Sequence, residues 1–315
     1  MKLKFTWIPF ILSFITVLGL KIYQFVTLGD ATVRTQWSNI EAITFIVALI
    51  AAIIITIMSL ISKDSPEVFV LNKDIFTGTI AVLTALMIIW SSVNELIIYL
   101  YYKREIVYLF LSIFGILAGL VFIMSGVCFF KGKDFFQKYK LLTLLPTVWV
   151  LIRILNLFFA YNSIPTNLSH VTTSLAEIFL VFFLFYQARL FSGLFTKNTF
   201  KSIFYFGFAA ILFVTLYATN NLLSIIDTGR KISINNLVYI ITDLIIAFYV
   251  LCFISGLKLG KNLDDDVPEL LSEPEKIEEK EENVIDNISE LNQDESMMKV
   301  DALIEEIKNE NNKLD

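Results

Sequence analysis

Apolar residues in this chain gather into eight runs, each long enough to cross about 30 Å of hydrocarbon, which takes roughly 20 residues of helix. They cover 5–23, 43–61, 75–98, 106–129, 141–161, 171–191, 202–217 and 237–257, the seventh being the shortest. Polar stretches separate them, marked by residues such as Gly29-Asp30, Lys103-Arg104-Glu105, Lys131-Gly132-Lys133-Asp134 and Asp227-Thr228-Gly229-Arg230. None of these connections is long enough to be a domain. Only Pro9 and Pro146 fall inside the runs, both near an end, so the helices should be continuous. No internal repeat or inverted pair of broken helices is visible, which counts modestly against a secondary transporter. The pattern predicts an all-α, polytopic transmembrane helix bundle of about eight helices over residues 1–261.

Lysines and arginines at the ends of the runs give the expected orientation. With the N-terminus inside, Lys2, Lys4, Lys63, Lys73, Lys131, Lys133, Lys138, Lys140, Arg189, Lys197, Lys201, Lys258 and Lys261 fall on the inner side. Only Lys21, Arg34, Lys103, Arg104, Arg230 and Lys231 fall outside. This excess places both termini in the cytoplasm of a bacterial cell whose cytoplasmic membrane holds the chain. The stretch Met1-Lys2-Leu3-Lys4 and the run behind it mimic a signal peptide, but no A-x-A-like cleavage site follows, so it reads as an uncleaved first helix.

Composition agrees with a lipid-dissolved body: of 315 residues, 56% are hydrophobic and 17% charged, with a mean hydropathy of +0.70. The net charge of −5 conceals a division. Residues 1–261 carry 20 Lys+Arg against 11 Asp+Glu, whereas 262–315 carry 5 against 19 and no aromatic residue. The second part reads as a mostly disordered acidic cytoplasmic tail. Within it Val300, Leu303, Ile304 and Ile307 form an i, i+3, i+4, i+7 stripe, predicting a short amphipathic helix near 296–309 that could enter a groove on a cytosolic protein. Such a tail repels phosphate, and the basic residues of the body lie along membrane edges, so no nucleic-acid partner is expected. The partner certain from composition is the lipid bilayer.

Arg153, Glu177, Asp243 and Glu95 form a polar set within the apolar runs. Arg153 and Glu177 lie about twelve residues either side of Pro165, which puts them at similar depth in neighbouring antiparallel helices. An arginine in hydrocarbon costs about 2.5 to 3.5 kcal/mol and is kept where it meets protein, water or an opposite charge. The pair is therefore expected to meet. Trp149, Arg153 and Asn156 share one helix face, as do His170, Ser174 and Glu177; Tyr239 and Asp243 share another, and Ser91 and Glu95 a fourth. By the topology above, Glu95, Glu177 and Asp243 lie in one leaflet with Arg153. Two readings stand side by side: a structural ion pair with two further carboxylates that lock helices together, or a cavity whose surplus acid handles a proton or cation.

Gly115, Gly119 and Gly126 line the fourth run with small-residue spacing that lets another helix approach closely. Cys128 and Cys252 belong to no metal or redox spacing, and there is no HExxH, Walker loop or aspartyl dyad. No metal, no cofactor and no catalytic residue is expected, and the chain is not expected to be an enzyme. The segments Pro146-Thr147-Val148-Trp149-Val150-Leu151-Ile152-Arg153, Ala176-Glu177-Ile178-Phe179 and Tyr186-Gln187-Ala188-Arg189-Leu190 resemble uncharacterised multi-pass membrane proteins of Gram-positive bacteria. That resemblance implies the general layout and no substrate or reaction. Two functions follow as expectations: a non-enzymatic sensor, scaffold or assembly partner that presents the acidic tail to a cytosolic protein, or a transporter of a small ion or polar solute through the Arg153, Glu177, Asp243 and Glu95 cluster.

Overall fold

The computed structural model of the protein describes residues 3–27, 37–62, 73–102, 105–133, 135–136, 138–161, 168–194, 196–227 and 234–257. The chain divides into two units, Met1–Gly260 and Lys261–Asp315. The whole second unit lies outside the described residues, and the expected helix near 296–309 lies outside with it. Among the described residues there are eight helices long and apolar enough to cross a membrane. They are α1 (Trp7–Val26), α2 (Trp37–Ile61), α3 (Ile75–Tyr102), α4 (Ile106–Lys131), α5 (Leu145–Tyr161), α6 (Leu168–Phe191), α7 (Lys197–Asp227) and α8 (Ile234–Gly256). Short 3₁₀ turns at Leu3–Thr6 and Lys140–Leu144 lead into α1 and α5. The protein is an integral membrane protein by length and apolarity of its helices, which bury their backbone hydrogen bonds as the hydrocarbon requires.

Local chemistry sets several helix ends. Asp74 opens α3: its Oδ1 accepts from the Phe76 and Thr77 amides at 3.0 and 3.3 Å, satisfying donors that have no carbonyl partner inside the helix. Its own amide donates to the Phe129 carbonyl at 3.1 Å, tying the start of α3 to the end of α4. Gly132 ends α4 at φ 63°, the left-handed conformation that costs glycine nothing. Gly193 does the same after α6 at φ 69°, and the Leu194 amide reaches back to the Arg189 carbonyl at 3.0 Å.

The seventh run differs from its sequence reading. It looks shortest because Lys197, Asn198 and Lys201 at one end and Thr219, Asn220 and Asn221 at the other dilute its apolarity. Among the described residues it is the longest helix, 31 residues, and 78% of an apolar 18-residue stretch of it is buried against 28% for α1 and 33% for α2. Its polar ends are spent on neighbours. Ser59 of α2 donates to the Lys201 carbonyl at 2.9 Å, Lys201 Nζ donates to the Leu60 carbonyl at 3.2 Å, and Asn220 accepts from Lys21.

Helices α3, α4, α5, α6, α7 and α8 touch in a closed order, each packing on the next and α8 returning to α3. This makes a ring of six helices, with α1 and α2 packed against α7 from outside. Lipid-facing side chains such as Ile46, Ile50, Ile53 and Ile57 on α2 remain exposed, as expected where the solvent is hydrocarbon. Small residues close the α3–α4 seam. A Cβ at Gly119 would meet the Ala85 carbonyl at 3.1 Å, and one at Gly126 would meet the Gly78 carbonyl at 3.0 Å. The close approach that this spacing permits is thus used along the length of α4.

Candidate functional site

Inside the ring, side chains stack in layers from the lysine-rich end, which carries Lys131, Lys133, Lys138 and Lys140, to the far end. Nearest the lysines, Phe129, Phe191 and Phe253 pack edge to face with centroids about 6.0 Å apart, and Phe136 sits 5.4 Å from Phe191. One turn further in, Gln187 of α6 donates from Nε2 to the Tyr249 hydroxyl of α8 at 2.5 Å, and Phe122 of α4 packs on the Tyr249 ring at 5.0 Å. An apolar layer follows, with Val150, Leu180 and Ile246 all buried.

Beyond that layer lie the charges. A single terminal nitrogen of Arg153, Nη2, stands 2.6 Å from Glu177 Oε1 and 2.8 Å from Asp243 Oδ1. Its two N–H groups therefore serve two carboxylates from two different helices, the strong charge-assisted kind of hydrogen bond. Both acids are 6% exposed at the side chain, and the arginine 17%. Glu95 of α3 hydrogen-bonds Tyr239 of α8 and feels both the Arg153 and Asp243 charges, while Tyr217 of α7 faces Arg153 electrostatically. The Trp149 ring covers the guanidinium at 5.1 Å, one turn below on α5. Gly115 of α4 completes the layer. A Cβ there would come within 2.9 Å of Trp149 Nε1 and 3.0 Å of Ser92 Cβ. Every helix of the ring thus contributes to one layer.

Sequence spacing places Arg153 with Glu177, and the geometry adds Asp243 as an equal partner, so the second acid is paired rather than left to itself. Asn156 and Ser174, on the same faces as the charges, remain half-buried, and the two ion pairs of the arginine go to the carboxylates instead of to them. The tail residues Val300, Leu303, Ile304 and Ile307 lie outside the described part. Among the described residues no group of His, Cys, Asp and Glu is arranged to hold a metal ion.

The layer is left with unused hydrogen-bonding capacity. Glu95 Oε2, Glu177 Oε2 and Asp243 Oδ2 are buried acceptors without a hydrogen-bond partner, and Ser92 Oγ and Trp149 Nε1 are buried donors without one. Buried polar groups are normally satisfied, and each that is not calls for a physical account. Sequence reading did not find Ser92, Tyr217 or Gly115 as parts of this layer, since nothing local sets their register against Arg153.

A second buried cation lies outside the ring. Lys21 of α1 is 3% exposed; its Nζ donates to Gln24 Oε1 at 2.8 Å and to Asn220 Oδ1 of α7, and Glu41 of α2 attracts it from a distance. From sequence it reads as a loop-edge lysine, because its partner is 199 residues away. Cys128 and Cys252 are both buried. Neither a known protein family, nor a curated protein, nor a solved structure matches this chain.

Proposed function

We propose that the protein is a transporter that moves a proton or a small monovalent cation through the inside of the six-helix ring, with Glu95, Glu177 and Asp243 as the exchanging carboxylates and Arg153 as their fixed counter-charge. One observation carries this reading: a single guanidinium serves two carboxylates, a third stands beside them, and all three keep a buried oxygen unpaired. Fully ionised, that layer holds two negative charges too many for a low-dielectric interior, where an uncompensated charge costs several kcal/mol. Protons or a cation must supply the balance. Ionisable residues inside a membrane bundle face its interior or a water-filled cavity and mark ion and proton routes. The lysine-rich end faces the cytoplasm under this reading, by the same asymmetry of basic residues. The alternative role, display of tail 262–315 to a cytosolic protein, rests on residues outside the described part of the chain.

The test uses the full chain in sealed liposomes containing a pH-sensitive dye, with a potassium gradient and valinomycin to impose a potential. Proton or ²²Na⁺ uptake should exceed that of protein-free liposomes, and Asp243→Asn and Glu95→Gln should each reduce it at least tenfold. Uptake no greater than the protein-free leak removes the transport reading.

A further inference from the structure

The Gln187–Tyr249 layer is separate from the charged one. Counted along the helices, Glu177 precedes Gln187 by ten residues and Asp243 precedes Tyr249 by six, so about 9 to 15 Å of axis lies between them. That interval is filled by Val150, Leu180 and Ile246, all buried in one apolar cluster. Gln187 is 5% exposed, yet only one end of its amide is bonded: Nε2 reaches Tyr249, while Oε1 is buried without a partner. Turning the amide over would exchange the two atoms and still leave one of them unpaired. Beside it lies a cleft with room for about one water molecule, lined by Gln187, Ser125, Thr143 and Phe122. Ser125 donates to the Val121 carbonyl at 3.0 Å, while the Thr143 hydroxyl is shared between the Lys140 carbonyl at 2.6 Å and Ser192 Oγ at 3.0 Å. The Ser125 oxygen, whose lone pairs are not used by that bond, and the free Gln187 amide atom supply the polar partners, two at the least, that a buried water needs.

We infer that this cleft binds one water molecule on Gln187, and that this water is the stop next to the lysine-rich end on a proton path whose other stop is the carboxylate layer. The second half of the inference rests on the transport reading and sharpens it by naming the species. A hydrated metal cation carries several waters, for which this cleft has no room, and the ligands here are all neutral oxygens with no carboxylate among them. A proton needs one water and a neighbour with lone pairs. Phe122, packed on Tyr249 and lining the cleft, borders the apolar layer of Val150, Leu180 and Ile246 that must be wetted for the two stops to exchange.

The experiment takes the full chain, wild type and two variants, Gln187→Leu and Gln187→Glu, into the same liposomes. Brief X-ray radiolysis in ¹⁸O water followed by mass spectrometry oxidises aromatic rings that touch an ordered water. Phe122, which lines the cleft and is only 2% exposed, should take up ¹⁸O in the wild type. Gln187→Leu should lose that label and at least tenfold of the proton flux, whereas Gln187→Glu, which keeps the shape and a carbonyl oxygen, should retain the label and most of the flux. Wild-type Phe122 without label overturns the water site whatever the flux. Label lost in Gln187→Leu with flux unchanged overturns its place on the path while leaving transport intact. Accumulation of ²²Na⁺ by the wild type in place of protons overturns the naming of the proton. Labelled Phe122 in a protein that carries no flux of either ion upholds the water site and sinks the path together with the transport reading.

Discussion

Arg153 and Lys21 are both cations enclosed among the described helices, and they are held in opposite ways. Arg153, inside the ring, is bonded to two carboxylates with a third close by. Lys21, outside it, is bonded to two neutral amide oxygens, with one acid acting from a distance. The first site carries more negative charge than its arginine can balance; the second carries about as much charge as the lysine brings. Surplus is what a site needs if it is to take up and release a positive ion, and balance is what a latch needs if it is to stay shut. Position agrees with this, since Lys21 joins α1 to α7 and so fastens the outer pair of helices to the ring.

The largest break in that comparison should come from Arg153→Ala. It strands two buried carboxylates at once, and removing one partner of a buried ion pair typically costs about 3 to 5 kcal/mol. The melting temperature of the purified protein should fall by roughly 6 to 20 °C, at a few degrees per kcal/mol for a domain of this size. Adding Glu177→Gln and Asp243→Asn to the same chain should restore part of the loss, because the stranded charges go with them. A triple variant no more stable than Arg153→Ala would mean that the three groups are not coupled.

How the charged layer came to be partly readable shows what sequence can carry. The eight spans follow from run length alone, because the thickness of the hydrocarbon acts on every helix separately. Arg153 and Glu177 can be set at one depth because a short connection joins their helices and fixes the count on both sides. Asp243 lies 90 residues beyond Arg153, and no local rule says which face of α8 looks at α5. Its role belongs to tertiary packing. The same holds for Lys21, whose place near a helix end reads as an edge charge although α7 is long enough to reach it. The length of α7 was itself hidden, since hydropathy counts Asn220 as a boundary while the fold uses it as an acceptor. Gln187 left a visible signal, a lone amide in an apolar run, but its partner Tyr249 could not be named from that.

A middle-sized effect is expected at the latch. Lys21→Met keeps the apolar stem and removes the ammonium, leaving the Gln24 and Asn220 oxygens to find other donors. An unmade hydrogen bond of this kind costs about 1 to 3 kcal/mol. Thermal unfolding should therefore show a loss smaller than that of Arg153→Ala, and proton flux in liposomes should stay within about twofold of wild type. A Lys21→Met protein that folds but carries no flux would place the lysine among the working charges and dissolve the distinction between the two sites.

The smallest effect, and the only gain, should come from giving Lys21 the kind of partner Arg153 has. Asn220→Asp preserves the size of the side chain and the oxygen that accepts from Lys21, but makes that bond charge-assisted, which roughly doubles its strength. Asn220 is half-buried, so the new carboxylate is not wholly cut off from water and the cost of its burial is moderate. The net change should be about 1 kcal/mol in favour of the folded protein, read as a rise of a few degrees in melting temperature. The same exchange in a Lys21→Met chain should do the reverse, since the carboxylate would then lack its cation. If Asn220→Asp destabilises with Lys21 present, the ammonium is already balanced by Glu41 and the site is closer in kind to the ring interior than its neutral ligands suggest.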